Sequence, residues 1–264
     1  MSCGGLAVAE WAIDRLPPVS LAAVMDLAEL QTRTDRKYVV GPEVLGALAE
    51  DAGSRLAVLE IDGLRAFRYE SVYFDTPALD AYHAAAQGRR RRFKVRTRTY
   101  LDAGVTVLEV KVQGGRGETV KHRMPYEGAD RRRLTADGAA FVFEHVGAAG
   151  VSLLAPGLVT SYRRTTLVDP AAGMRLTCDA DLVCTSAHGP SVALSGRVLL
   201  ETKSLGLSTA ADRFLWSTGH RPETLSKYCL GMAALDPRLP ANKWNRTLRR
   251  DFGWAPDRRR ASQM

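Results

Sequence analysis

What the chain lacks removes whole classes of protein before any motif is weighed. No run approaches the roughly 20 consecutive apolar residues that span a bilayer. The N-terminal segment has no basic n-region, and Glu10 and Asp14 interrupt its apolar character, so it makes a poor signal peptide. These absences predict a soluble intracellular protein. The four cysteines, Cys3, Cys178, Cys184 and Cys229, show neither C-x-x-C spacing nor a disulfide framework, which fits a reducing compartment and argues against structural zinc. The five histidines are dispersed and form no pair with metal-ligand spacing. No G-x-x-x-x-G-K-[ST] segment and no G-x-G-x-x-G after a strand occurs, so neither a P-loop nor a dinucleotide site is supported. Lysine is scarce as well: 7 lysines stand against 30 arginines. Basic positions default to Arg, and a lysine therefore carries information.

What is present is enough for a folded domain. With 45% hydrophobic and 25% charged residues, the 264-residue chain can bury a core. A net charge of +8 points to an anionic partner: nucleic acid, an acidic membrane surface or a phosphorylated small molecule. We divide the chain into a helical extension at 1–29, one domain at 30–235, and a basic, mobile tail at 236–264 in which Trp244 and Trp254 are docking points.

Hydrophobic periodicity predicts a helix over Leu16 to Leu30, opened by Pro17-Pro18, and then a strand from Gln31. Further helices are expected over 42–51, 78–86, 135–146, 208–217 and 225–234. Strands are expected over 56–60, 66–74, 90–101, 105–113, 118–126, 158–168, 174–184 and 195–203. Asp102-Ala103-Gly104 has the residue types of a tight hairpin, and Gly114 to Gly117 reads as a looser turn. Hairpin-linked strands with attached helices predict an α+β fold built on an antiparallel eight-stranded barrel, because closure removes exposed edges.

The chemistry lies in the alternation. In Arg92-Phe93-Lys94-Val95-Arg96-Thr97-Arg98 the even positions are basic and the odd ones apolar or β-branched, so one strand face is a cationic row. The next strand places Val107, Glu109, Lys111 and Gln113 on one face and Leu108, Val110 and Val112 on the other. Glu201-Thr202-Lys203 repeats the E-x-K arrangement. Any one of these strands reads first as a solvated outer face with weak cross-strand ion pairs. Their repetition changes the reading: apolar faces can pack under helices while charged faces line a water-filled interior that binds a polyanion. Six of the seven lysines, Lys37, Lys94, Lys111, Lys121, Lys203 and Lys227, fall in or beside these motifs. A compact ammonium suits a phosphate oxygen in a narrow channel. The runs Arg89 to Arg92 and Arg131 to Arg133 read as a solvated face or an electrostatic funnel. Sparse aromatic interleaving weighs against nucleic acid as the partner.

An ordered series of short motifs resembles a family. Arg33-Thr-Asp35-Arg-Lys37-Tyr38, Val72-Tyr73-Phe74-Asp75-Thr76 with Tyr82, Lys94-Val-Arg96-Thr-Arg98-Thr-Tyr100, Leu108-Glu109-Val110-Lys111 and Lys121 are followed by Tyr162-Arg163-Arg164-Thr165, Arg175-Leu-Thr177-Cys-Asp179, Glu201-Thr-Lys203 and Ser226-Lys227-Tyr228. Together, over roughly Leu30 to Met232, they resemble the VTC (vacuolar transporter chaperone) polyphosphate polymerase domain of the triphosphate tunnel superfamily. The resemblance implies a tunnel barrel in which Lys37, Arg96, Arg98, Lys111, Lys121, Arg164, Lys203 and Lys227 contact phosphate. Lys94, Arg175 and Tyr228 would add substrate contacts, with Asp179 orienting a basic neighbour. Glu201 would lead in holding a divalent metal, Mn2+ or Mg2+. Glu109 is a second metal candidate that reads equally as an ion-pair partner of Lys111 or Arg98. Asp35 stands where the family more often has Glu, a carboxylate one methylene longer.

The implied activity is transfer of the terminal phosphoryl group of a nucleoside triphosphate, ATP foremost, to a polyphosphate chain. Two alternatives stay open: a triphosphatase on the same scaffold, and a non-catalytic polyphosphate-binding module. The implied setting is the cytoplasm, with a membrane-protein partner that would hold the chain near the inner face of a membrane, and no nucleic-acid partner.

Overall fold

A computed structural model describes residues 3–26, 34–113, 119–147, 151–187, 189–204, 206 and 208–256. Arg33, the Gly114 to Gly117 turn, His188 and the Arg258-Arg259-Arg260 run lie outside them. The helices are α1 (Cys3–Asp14), α2 (Leu21–Asp26), α3 (Pro42–Ala52), α4 (Asp80–Gln87), α5 (Ala136–Val146), α6 (Ala210–Ser217), α7 (Lys227–Leu235) and α8 (Asn245–Asp251). The strands are β1 (Pro18–Val19), β2 (Thr34–Val40), β3 (Ala57–Leu59), β4 (Phe67–Asp75), β5 (Arg92–Tyr100), β6 (Val105–Gln113), β7 (Thr119–Tyr126), β8 (Ala155–Asp169), β9 (Met174–Ser186), β10 (Ser191–Ala193) and β11 (Val198–Ser204).

The expected α+β class with an antiparallel sheet is what the chain adopts. Strands pair in the order β2-β11-β9-β8-β4-β5-β6-β7, and the β2–β11, β11–β9, β4–β5, β5–β6 and β6–β7 registers are antiparallel. Among the described residues this order is an open path, not the closed ring expected of a barrel. Exposed sheet edges are a liability that closure would remove. The β7 edge manages that liability otherwise, with exposed Lys121, Arg123 and Pro125 along it, residue types that repel or cannot bond a further strand.

The chain forms two compact units, with β8 and β9 contributing residues to both. The first comprises residues 1–67, 163–182 and 194–225. Its strands put Tyr38, Val40, Leu176, Cys178, Val198 and Leu200 into one core with Leu45, Leu48 and Ala49 of α3 and Ala211 and Leu215 of α6. The odd-numbered positions of the same strands face the other way. Helix α6 is fastened to that sheet by the fully buried Asp212, which accepts from Tyr38 Oη at 2.6 Å, Thr202 Oγ1 at 2.7 Å and Arg36 Nη1 at 3.2 Å. Asp212 also closes a capping box with Thr209 at the start of α6.

The N-terminal part departs from expectation. Pro17-Pro18 does not open the helix: Pro18 and Val19 pair in parallel with Val58 and Leu59, and among the described residues α2 covers Leu21–Asp26, the rest of the expected helix to Leu30 lying outside them. Proline fixes an extended φ and leaves its carbonyl free, and Pro17 O accepts from Val58 N at 2.9 Å. Helix α1 falls within the helical extension expected at 1–29 although Gly4 and Gly5 weaken helix propensity, and Ala9, Ala12 and Ile13 form its buried stripe against the α3 core.

The second unit comprises residues 68–162, 183–193 and 226–264. Val72, Phe74, Val95, Leu108 and Val110 make its core with Val142 of α5 and Val151. The β5–β6 hairpin forms as read: Gly104 takes the left-handed φ of +66° that the turn requires, and Asp102 accepts from Arg68 N at 2.6 Å. The stretch expected as a basic tail carries α8 and buries Trp244 and Trp254. Among the described residues no helix is long and apolar enough to cross a membrane.

Candidate anion-binding faces

Each unit covers one sheet face with helices and leaves charged side chains on the other. In the second unit that face is ordered into rows. Lys94, Lys111 and Lys121 lie directly opposite one another across β5, β6 and β7. The next row is Tyr73, Arg96, Glu109 and Arg123, and the row beyond it holds Ser71, Arg98 and Val107. Like charges directly opposite in a sheet destabilise it. Three ammoniums are nonetheless aligned here, a local cost of the arrangement.

Glu109 is the sole carboxylate in these rows, and it is 2% exposed. Its Oε2 accepts from Arg96 Nε at 2.7 Å and its Oε1 from Arg123 Nε at 2.8 Å, with Lys121 Nζ at 3.9 Å and Arg98 Nε at 4.0 Å. Burial opposes its ionisation, but Arg96, Arg98, Lys121 and Arg123 outweigh burial and hold the carboxyl well below its usual range. Arg98 Nε is buried without a hydrogen-bond partner and its guanidinium lies 5.7 Å from the Tyr69 ring centroid. Lys94 Nζ donates to Ser226 Oγ at 2.8 Å, and Lys227 Nζ sits 4.5 Å from the Tyr162 ring centroid. Tyr228 is only 1% exposed and its hydroxyl donates to Asp75, so it is placed inside the unit and not on the cationic face.

Lys121 holds its proton less tightly than an ordinary lysine. Partial desolvation, helped by Arg123, Arg98 and Arg96 against the pull of Glu109, pushes its ammonium down to about 8. Anion binding at this face is expected to weaken as pH rises through that value, because the proton that supplies the charge is lost. Lys121→Arg should remove this component, since a guanidinium stays charged. Titration calorimetry with inorganic tripolyphosphate between pH 7 and 9 checks it; parallel pH profiles for the two proteins would refute it.

The first unit carries a checkerboard. Lys37 lies opposite Glu201, and Asp35 opposite Lys203, on the face that β2 and β11 share. Lys203 Nζ bonds Asp35 Oδ2 at 2.8 Å and Glu201 Oε1 at 3.0 Å, while Lys37 Nζ is 3.8 Å from the same Glu201 oxygen. Burial opposes the Glu201 charge, but Lys37, Lys203 and Arg164 prevail and hold the carboxyl well below its usual range. Arg175 and Thr177 continue the face on β9, opposite Lys203 and Glu201. Arg164 grips the buried Asp179 with two bonds, Nε at 2.6 Å and Nη2 at 2.8 Å. A planar fork held this way has a fixed orientation.

As metal donors, Glu201 and Asp35 are the carboxylates that meet on one cation position, filled here by the Lys203 ammonium. Among the described residues no group of three or more His, Cys, Asp or Glu side chains gathers. Both Glu109 oxygens accept from guanidinium groups. Sequence reasoning had overlooked Arg123, which the period of two from Lys121 along β7 could have supplied, and Ser226, whose contact with Lys94 joins residues 132 apart.

A family model described as the VTC domain matches residues 32–236. Solved structures with a similar chain course share little sequence. A protein of Vibrio parahaemolyticus described as a candidate adenylate cyclase is 12% identical, with 74% of this chain and 95% of that one covered and a TM-score of 0.42. A protein of Pyrococcus horikoshii is also 12% identical, with 76% and 98% covered and a TM-score of 0.44. A candidate adenylyl cyclase of Hippeastrum, described as having a dominant triphosphatase activity, is 17% identical, with 75% and 94% covered and a TM-score of 0.44. No curated protein matches the chain.

Proposed function

Because the chain belongs to the VTC domain family, we propose that it is a metal-dependent, polyphosphate polymerase-like enzyme of the triphosphate tunnel type. It would transfer the terminal phosphoryl group of a nucleoside triphosphate, ATP foremost, to a polyphosphate chain. The observation that carries this reading is the row Lys94, Lys111 and Lys121, aligned across three strands with a single carboxylate in the next row. Such a face binds a linear chain of phosphates better than a single one, because successive ammoniums match successive charges.

In the transfer, the terminal oxygen of the acceptor chain attacks the γ-phosphorus and the bond to the β-phosphate oxygen breaks, leaving nucleoside diphosphate with the electron pair. The attacking oxygen is already ionised, so no general base is required. Positioning and charge neutralisation dominate such reactions. Lys and Arg side chains supply both: they hold donor and acceptor ends in line and spread the charge that moves to the leaving group. Tunnel walls would exclude water, and weaker exclusion would turn transfer into hydrolysis.

A divalent cation fits the first unit's residues if the substrate completes its shell, since Mg2+ commonly takes one or two carboxylates and binds phosphate oxygens besides. Glu201 and Asp35 would hold it, with Lys203 yielding its place to the ion. When bound, it would neutralise phosphate charge and polarise the P–O bond. A cytoplasmic setting and a membrane-protein partner belong to the same proposal.

The test is to incubate purified protein with ATP and manganese or magnesium and to resolve long-chain polyphosphate from free phosphate. Polymer is expected. Free phosphate without polymer makes the protein a triphosphatase, and tight polyphosphate binding without turnover makes it a binding module.

A further inference from the structure

We propose that Asp75 and Tyr228 form a buried positioning pair that aims the first turn of α7, and with it Lys227 and Lys94, at the phosphate ligand. The inference rests on the anion-binding reading of the second unit's face. Asp75, 3% exposed, ends β4 and is the meeting point of four donors. Its Oδ1 accepts from Thr76 N at 2.8 Å and Ala81 N at 2.9 Å; its Oδ2 accepts from Tyr82 N at 2.9 Å and from the Tyr228 hydroxyl. Three of these are backbone groups, Thr76 of the β4–α4 connection and Ala81 and Tyr82 of the first turn of α4, and within the connection Leu79 takes a left-handed φ of +55°. The carboxylate is thus fixed by main chain, and it offers Tyr228 an acceptor that cannot drift.

Tyr228 is the second residue of α7, and its neighbours do the binding. Ser226 caps the helix, accepting from Cys229 N at 3.3 Å and from Lys94 Nζ at 2.8 Å. Lys227 extends over the Tyr162 ring. The Tyr228 ring stacks on Tyr73 at 5.3 Å between centroids, and the Tyr73 hydroxyl accepts from Arg96 Nη1 at 3.1 Å. One immobilised phenol therefore sets the place of an α7 turn that carries Lys227, meets Lys94 through Ser226 and reaches Arg96 only through Tyr73. Being buried, it can act on a ligand only through them. Burial and the charge of Asp75 push the Tyr228 hydroxyl far above the usual phenol range, so it remains a donor.

The experiment is a double-mutant cycle read by titration calorimetry with inorganic tripolyphosphate, on full-length proteins held below their thermal transitions. Tyr228→Phe keeps the ring and removes the bond to Asp75. We expect it to weaken binding by about 5- to 10-fold, the scale of one hydrogen bond. In a Lys227→Ala background the same change should cost less than about 2-fold, because coupled residues are non-additive. Asp75→Asn should behave as Tyr228→Phe does, and the phenylalanine variant carries the test if Asp75→Asn fails to fold. An equal loss in both backgrounds, or a lowered thermal midpoint with unchanged affinity, overturns the proposal and leaves the pair merely structural. If wild-type protein does not bind tripolyphosphate, the anion-binding reading falls first, a different result.

Discussion

Glu201→Gln is expected to lower metal-dependent turnover of ATP by about a hundred- to a thousandfold, the equivalent of the several kcal/mol that a correctly held metal supplies. Binding of tripolyphosphate without metal should be unchanged or tighter. The two directions follow from one geometry. Glu201 is the carboxylate between Lys37 and Lys203, so neutralising it frees both ammoniums for phosphate. The amide keeps the shape and the bond from Lys203, which makes loss of folding a poor explanation for lost turnover. Steady-state rates across a manganese or magnesium series, set beside metal-free calorimetry, check both arms. Unchanged turnover removes Glu201 from the metal site, and weakened metal-free binding shows that it orders the lysines instead.

The second large effect concerns stability. Glu109→Gln should destabilise the protein by about 3–5 kcal/mol, the usual result of removing one partner from a buried ionic cluster. Four cations would be left facing one another: Arg96, Arg98, Lys121 and Arg123. A polyanion should restore much of the loss, since a ligand at 100 times its dissociation constant adds about 2.7 kcal/mol. The acid limb follows the same logic. The folded-state carboxyl is depressed below its ordinary 4.5. Its contribution is therefore fully present above that value and is lost as pH falls below it toward the folded-state titration. Denaturant midpoints of both proteins, measured at neutral pH and near pH 3.5, should converge on acidification. A glutamine variant as stable as wild type without polyanion would show that Glu109 is not the keystone of these rows.

Much of this was legible in the chain because strand alternation is a local property. The period of two over Arg92 to Gln113, with the Asp102-Ala103-Gly104 turn between, determined the hairpin, its register and the side on which each lysine falls. The scarcity of lysine singled out Lys94, Lys111 and Lys121, which align across β5, β6 and β7. What escaped was non-local or contrary to local propensity. Asp75 reads only as a member of the Val72-Tyr73-Phe74-Asp75-Thr76 motif; that its carboxylate takes the hydroxyl of Tyr228 depends on residues 153 apart. Tyr228 itself stood in a motif with Lys227 and looked like a substrate contact, and only burial separates the two roles. Glu109 and Lys111 share a strand face, and the carboxylate accepts from guanidinium groups on the neighbouring strands, Arg96 of β5 and Arg123 of β7. Closure of the sheet was argued from a general dislike of edges, which the residues of β7 had already answered.

That edge has a further consequence. Two copies of the chain approaching with β7 against β7 would bring Lys121 and Arg123 of each into a doubled cation row, with Pro125 withholding a donor from the would-be ladder. Edge-to-edge adhesion is thus refused by part of the charge that would attract phosphate. Neutralise that charge with a bound polymer and the refusal weakens, so a long polyanion would act both as cargo and as a bridge, and the tendency of the protein to cluster would follow the length of the chain it holds.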